Sequence, residues 1–422
     1  MPGQYKLLAR FCAAARDNQV VFLTEPGKPD IPGIHKAEYS APPELPEQFA
    51  RRLSSLNLVK FSQNIMASQN ARESCRNLKN KGFVPDIIVG HLGWGSGLFL
   101  KDVFPDTPVL NYADYFFAPN GADQTFLNNR DASDHDRARR RIINTAALFA
   151  LTESDWCVTS TFYQRNVHPD VFHPKISVLH DGIDTDNVAP DPDAVFKLPN
   201  GKILSRADEV ITYISPVFEP HRGFPQFMEA VDILLKERPQ CHVVVVGKKG
   251  GRGYGLPANK DSPGYLQEML SRFRPDNTRF HLTGPLSHDR MVKVMQISSA
   301  HIYLTIPFVL SWSILEAMAA GCVVIGSDTG PVQEVITHGS NGLLANFFSP
   351  EDIAASAASA LDNREAMEDI RRNARQTVLD QYAFKTVLPL HLGLINDLAA
   401  GRIPPPTRKA IRLLHKKPPQ SD

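Results

Sequence analysis

The chain has 422 residues, more than one hydrophobic core usually serves, so two domains are expected. Forty-six basic side chains against forty-five acidic ones leave a formal net charge of +1, which offers no global attraction for nucleic acid or another polyanion. Five scattered cysteines without a CxxC pair argue against a disulfide framework or a zinc knuckle, and no run of about 18 apolar residues marks a membrane span. A cytoplasmic protein, at most peripheral to the inner face of a membrane, is the expectation.

Short β-branched runs alternate with helix-length amphipathic stretches, the spacing of parallel βαβ units and an α/β fold. Strand candidates in the first half are 20–23, 86–91, 108–113, 155–159 and 176–180. Those in the second half are 210–215, 242–247, 279–284, 301–306, 322–327 and 342–346. The organisation expected is a first domain over 1–190, a polar Pro-containing linker over 191–207 and a second domain over 208–382. The pattern from 350 to 379 reads as helical. A further helix over 383–400 can return to the first domain, and a basic Pro-rich tail occupies 401–422. The composition of that tail reads as a disordered segment, with a contact for anionic lipid as the alternative.

Open α/β sheets gather ligand groups at the carboxyl ends of their strands, which is where candidate residues are sought. In Gly90–Gly97, the glycines Gly93 and Gly95 permit close backbone approach, His91 offers a hydrogen-bonding group and Trp94 a stacking platform. A tight strand-helix turn with a packed Trp is the plainer alternative. Asp114 ends the next strand, either to orient a ligand hydroxyl or to cap a helix. The run Arg137–Arg141 reads as a solvated helix face or a contact for a phospholipid. Arg222 with Gly223 follows a strand and opens a helix, either as a surface charge at a helix start or as a guanidinium placed to neutralise a diphosphate. Gly247–Gly255, with Lys248, Lys249 and Arg252, is glycine-rich and basic yet lacks P-loop spacing.

The segment from His301 to Gly330 reads as strand, loop, helix, strand and loop. Ser311 or Ser313 can cap its helix, whose first amides form an anion site. Glu316 near that helix start can accept from the two hydroxyls of a ribose, or serve as a capping-box or dipole-complementing residue.

LEAMAAG at Leu315–Gly321, GSDTGPVQEVI at Gly326–Ile336 and NGLL at Asn341–Leu344 together resemble the retaining glycosyltransferases of family 4. PFVLSWSILEAMAAG is similar to a bacterial branch of that family. The resemblance implies a GT-B fold, two Rossmann-like doubly wound domains facing across a cleft. It implies a UDP- or GDP-sugar donor with no cofactor and no metal, a glycan, lipid-linked or other hydroxyl acceptor, no nucleic-acid partner, and a role in polysaccharide biosynthesis. Glu316 becomes the ribose-holding second glutamate of E-x7-E, whereas Phe308 stands at the first. Backbone at Leu310, Ser311 and Trp312, with Ser313, would orient the donor instead. Arg222 matches the family's phosphate cation, Gly223 its neighbour, and Pro216 stands where a second cation is usual, so Lys248, Lys249 and Arg252 become substitutes. Gly247 borders that loop, and His281, Leu282 and Gly284 fall in the base-binding turn. Asp114, His91, Gly93, Trp94 and Gly95 fall on the acceptor side. His180–Asp184 resembles the turn between domains. Met1–Tyr5 resembles the point just after the family's first strand, so that strand is expected to be missing. Phe308, Pro216 and the missing first strand keep a silent nucleotide-sugar-binding protein in view, and a nucleotide-sugar epimerase behind it.

Overall fold

The computed structural model describes residues 3–55, 58–94, 97–128, 130–250 and 264–405. The chain forms two compact units, one made of Met1–Gly121, Asp131–Gly182 and Phe384–Asp422, the other of Ala122–Arg130 and Ile183–Ala383.

In the first unit, β1 (Val20–Thr24) and β2 (Ile34–Glu38) form a parallel pair. The main sheet is parallel and takes its strands in chain order: β3 (Ile88–His91), β4 (Val109–Tyr112), β5 (Trp156–Thr159) and β6 (Ile176–Val178). β4 and β5 are buried along their whole length, as a parallel sheet covered on both faces requires. Side chains alternate accordingly. Trp156 and Val158 join Leu110, Tyr112 and, from the final helix Phe384–Ala399, Val387, Leu394 and Leu398. Cys157 faces the other way, towards Ala146, Ala150 and Leu151 of the helix Thr145–Glu153.

The second unit opens with the antiparallel pair β7 (Val195–Lys197) and β8 (Ile203–Ser205). Its sheet contains β9 (Val210–Val217), β10 (His242–Lys248), β11 (Phe280–Gly284), β12 (Ala300–Tyr303), β13 (Val323–Ser327) and β14 (Leu343–Ala345). The order is β11-β10-β9-β12-β13-β14, and every neighbouring pair is parallel. Counted within the unit this is 3-2-1-4-5-6, the dinucleotide-binding order, and the direction of winding reverses between β9 and β12. The chain thus leaves a crevice at the carboxyl ends of those two strands.

Each strand candidate from the sequence falls on a strand, but the domain limits need correction. The 191–207 segment is no linker: Phe196 and Leu204 of the β7–β8 hairpin are buried with Val210, Val244 and Val294. Its Gly201, at φ 89, makes the hairpin turn rather than a flexible spacer. The units therefore change over at Gly182 and Ile183, not at 190, and Ala122–Arg130 is an excursion of the chain into the second unit. The helical pattern from 350 to 379 is two helices, Pro350–Asp362 and Arg364–Gln381. Between them Asn363 donates its side-chain amide to the Ser359 carbonyl, the local competition that makes Asn a helix breaker. Among the described residues, no helix is long and apolar enough to cross a membrane.

Candidate functional site

The crevice between β9 and β12 is occupied by residues that the sequence singled out. After β9 the chain makes a short turn at Pro220–Arg222 and enters the helix Phe224–Glu237 through Gly223, at φ 62. A Cβ at Gly223 would lie 2.5 Å from the Leu304 Cβ, so this position needs glycine for its dihedral angle and for its packing. Arg222 is thereby fixed beside β12 and buried, with 8% of its surface exposed. Its Nη1 donates to Thr305 Oγ1 and to the Val309 carbonyl, both at 3.4 Å, while its own carbonyl accepts from the Tyr213 hydroxyl at 2.7 Å. Around the guanidinium the crevice is lined by Ser215, Pro216, Tyr303, Ser311 and Ser313.

Ser311 caps the helix Trp312–Ala319, accepting from the Ser313 amide at 3.4 Å. The Ser311 amide donates to the Tyr303 hydroxyl at 2.8 Å, and the two serine hydroxyls lie 3.1 Å apart. One guanidinium, four hydroxyls and the positive end of a helix therefore converge, which is an arrangement for an anion. Trp312 packs against the core beside Leu310, itself buried, so both contribute through position rather than side-chain polarity. Phe308 is 5% exposed, an apolar side chain turned inward at the place the family pattern gives to its first glutamate.

Glu316 is the fifth residue of its helix, just past the first turn and near the helix start as the sequence indicates. The N3 residue of this helix is Ile314, so Glu316 closes no capping box. Its side chain is 12% exposed, and Oε1 accepts from His288 Nε2 at 2.7 Å. His288 opens the helix His288–Gln296, directly after the turn that follows β11. It was missed in the sequence because the two residues are 28 apart and share no motif.

Gly247 is buried where β10 crowds β9, and a Cβ there would lie 2.2 Å from the Ser215 carbonyl oxygen. Lys248 and Lys249 are exposed beyond it, and Arg252 lies outside the described residues. Gly284 ends β11 at φ 74 with open space around it, and Leu282 is half-buried. His281 needs correction as a donor-binding residue. It is the second residue of β11 and its Nε2 meets Nδ1 of His242, the first residue of β10, at 3.1 Å. Both imidazoles belong to the amino-terminal half of their strands, whereas the crevice lies at the carboxyl ends. Burial, then His242, lowers His281 to about 4, so it is a neutral structural imidazole at ordinary pH.

In the first unit a second polar cluster occupies the carboxyl ends of β3 to β6. His91 ends β3, stacks on Tyr112 at 5.3 Å and accepts the Gly93 amide on Nδ1 at 3.1 Å. Burial lowers it to about 3. Tyr112 ends β4, and its hydroxyl lies 2.5 Å from Ser160 Oγ and donates to Asp181 Oδ1 at 3.3 Å. Ser160 donates to the same oxygen at 2.9 Å. Burial and the Asp181 carboxylate push Asp114 up to about 6, near the value suited to exchanging a proton at neutral pH. Ser160 follows β5 and was not singled out in the sequence, whereas Asp181, after β6, belongs to the His180–Asp184 segment that the sequence reading gave to the hinge and cleft floor. The backbone of Trp94 continues the turn Leu92–Trp94, while its side chain and Gly95 lie outside the described residues. Of the basic run, Arg140 is buried and donates to the Ala118 carbonyl, so that helix face is only partly solvated.

Residues 16–188 match the family described as glycosyl transferase family 4 group, and residues 200–377 match glycosyl transferases group 1. The chain belongs to the family 4 glycosyltransferases. This glycosyltransferase resembles D-inositol 3-phosphate glycosyltransferase of Jonesia denitrificans, with 24% identity over 58% of this chain and 57% of the relative. It also resembles N-acetyl-alpha-D-glucosaminyl L-malate synthase of Bacillus anthracis, with 27% identity over 27% of this chain and 31% of the relative. The matches span 57% and 31% of these two curated relatives, under two thirds of either length. Among solved structures it is similar to sucrose-phosphate synthase of Thermosynechococcus elongatus, with a TM-score of 0.67, 16% identity and coverage of 93% and 92% of the two chains. It is similar too to Anabaena HepE in complex with UDP-glucose, with a TM-score of 0.62, 13% identity and coverage of 90% and 99%. These neighbours have the GT-B fold, and the α/β architecture described above is of that kind.

Proposed function

We propose that this glycosyltransferase moves a sugar from a nucleoside-diphosphate sugar to a hydroxyl of a glycan, lipid-linked or other acceptor, with retention of configuration. The observation that carries the reading is the convergence of Arg222, the Ser311 and Ser313 hydroxyls and the helix start at the crevice of a 3-2-1-4-5-6 sheet. Such a crevice is where open α/β sheets hold nucleotides, and its charge suits a departing diphosphate. The bond from the sugar carbon to the diphosphate oxygen breaks as the acceptor oxygen bonds to that carbon on the same face. The acceptor proton passes to the departing phosphate oxygen. Arg222 and the helix amides stabilise the negative charge that develops on the diphosphate. Glu316 accepts from the ribose hydroxyls, and Asp114 orients the acceptor hydroxyl.

Incubation with UDP- and GDP-sugars, with and without cell-extract acceptors, tests this. Acceptor-dependent release of the nucleoside diphosphate is the expected result. Binding without release would make the chain a silent nucleotide-sugar protein, and sugar isomerisation without an acceptor would make it an epimerase.

A further inference from the structure

We propose that His288 is a positioning residue for nucleotide binding, which sets the Glu316 carboxylate for the ribose. The proposal rests on the reading of Glu316 as the ribose acceptor. His288 sits at a junction: it follows the Gly284–Ser287 turn beyond β11, begins the helix His288–Gln296 and reaches the helix Trp312–Ala319 at Glu316. The contact is 2.7 Å, with Glu316 12% exposed and His288 51% exposed.

A carboxylate on a single flexible side chain can rotate, and its affinity for a diol depends on both oxygens holding one orientation. His288 occupies Oε1 and so fixes the carboxylate plane. Oε2 and the second lone pair of Oε1 keep capacity for two hydroxyl donors. The same contact ties the turn after β11 to the ribose-binding helix, so that base and ribose would meet one preorganised surface. Neither residue alone supplies that.

The test measures binding of UDP and GDP, and of the 2′,3′-dideoxy form of whichever binds, to the full chain and to three variants. His288→Ala is expected to weaken the ordinary nucleotide about tenfold, the scale of removing a group that orients a ligand-binding side chain. The dideoxy nucleotide should change less than about twofold, and His288→Gln, which keeps a donor at similar reach, should recover most of the loss. Equal weakening of both nucleotides, no weakening, or tighter binding by His288→Ala would each overturn the proposal, leaving the ribose assignment standing if Glu316→Ala weakens binding. If Glu316→Ala leaves the ordinary nucleotide unaffected, the ribose assignment itself falls, and the proposal with it.

Discussion

The two units place polar groups at the same kind of address, the carboxyl ends of parallel strands, and fill it with opposite chemistry. In the second unit the crevice holds a guanidinium, hydroxyls and a helix start, and the Glu316 carboxylate, further along that helix, is engaged by His288. In the first unit the strand ends hold Asp114 and Asp181, the Tyr112 and Ser160 hydroxyls, and an imidazole that burial keeps neutral. The first arrangement suits an anion and the second suits hydroxyl groups and a proton. Topology supplies the address, and a handful of side chains decide what is delivered there.

The largest effect that would break this contrast is expected at Arg222. Arg222→Ala should lower kcat about 100- to 1,000-fold, the scale of removing one preorganised charge-stabilising donor. Steady-state rates beside a thermal melt check it, since an equal fall in stability would make the residue structural. Glu316→Ala should weaken nucleotide binding about 10- to 100-fold, from loss of a charged hydrogen-bond acceptor. Calorimetric titration with UDP and GDP would show it. Gly247→Ala should cost about 2 to 3 kcal/mol of stability, because its Cβ meets a backbone carbonyl that has no rotamer to change. Denaturant unfolding measures that.

The smallest effect sharpens the other side. If Asp114 acts as an ionised group, turnover should hold above about pH 6 and fall below it, and Asp114→Asn should lower the rate and remove this acid limb. Stability runs in the opposite direction. Its folded value lies above the ordinary 3.8, so the protonated form contributes stability that is fully present below 3.8 and lost as pH rises through about 6. Asp114→Asn should therefore be more stable than the parent at pH 7, with the gap closing below pH 4.

Eleven strands were legible because most strands of the parallel sheets are short apolar runs, many rich in β-branched residues, and the motif around Leu315–Gly321 located the crevice. The three missed strands lack that signature: β2 reads Ile-His-Lys-Ala-Glu, and β7 and β8 are three residues each amid prolines and polar side chains. His281 was misplaced because a strand's residues alone do not say which of its ends a ligand meets. It lies at the amino-terminal half, its ring tilted against that of His242. His288, Ser160 and Asp181 are brought to their partners only by folding, since no spacing in the chain links residue 288 to 316 or 160 to 181. Phe308 was legible in identity but not in role. The structure turns it into core, so the departure from the family's first glutamate is a change of packing as much as of polarity.

The final helix has a consequence for the order of events during synthesis. Val387, Leu394 and Leu398 close a core that also contains Tyr5, Leu8, Leu110 and Trp156. A ribosome delivers these partners nearly four hundred residues apart, so this face of the unit begun first cannot be covered until Phe384–Ala399 has emerged. The second unit, whose last residue is Ala383, has all its strands by then. The nascent chain thus completes its later half first, and its earlier half waits with exposed apolar surface, the period in which such chains are most open to aggregation and chaperone capture.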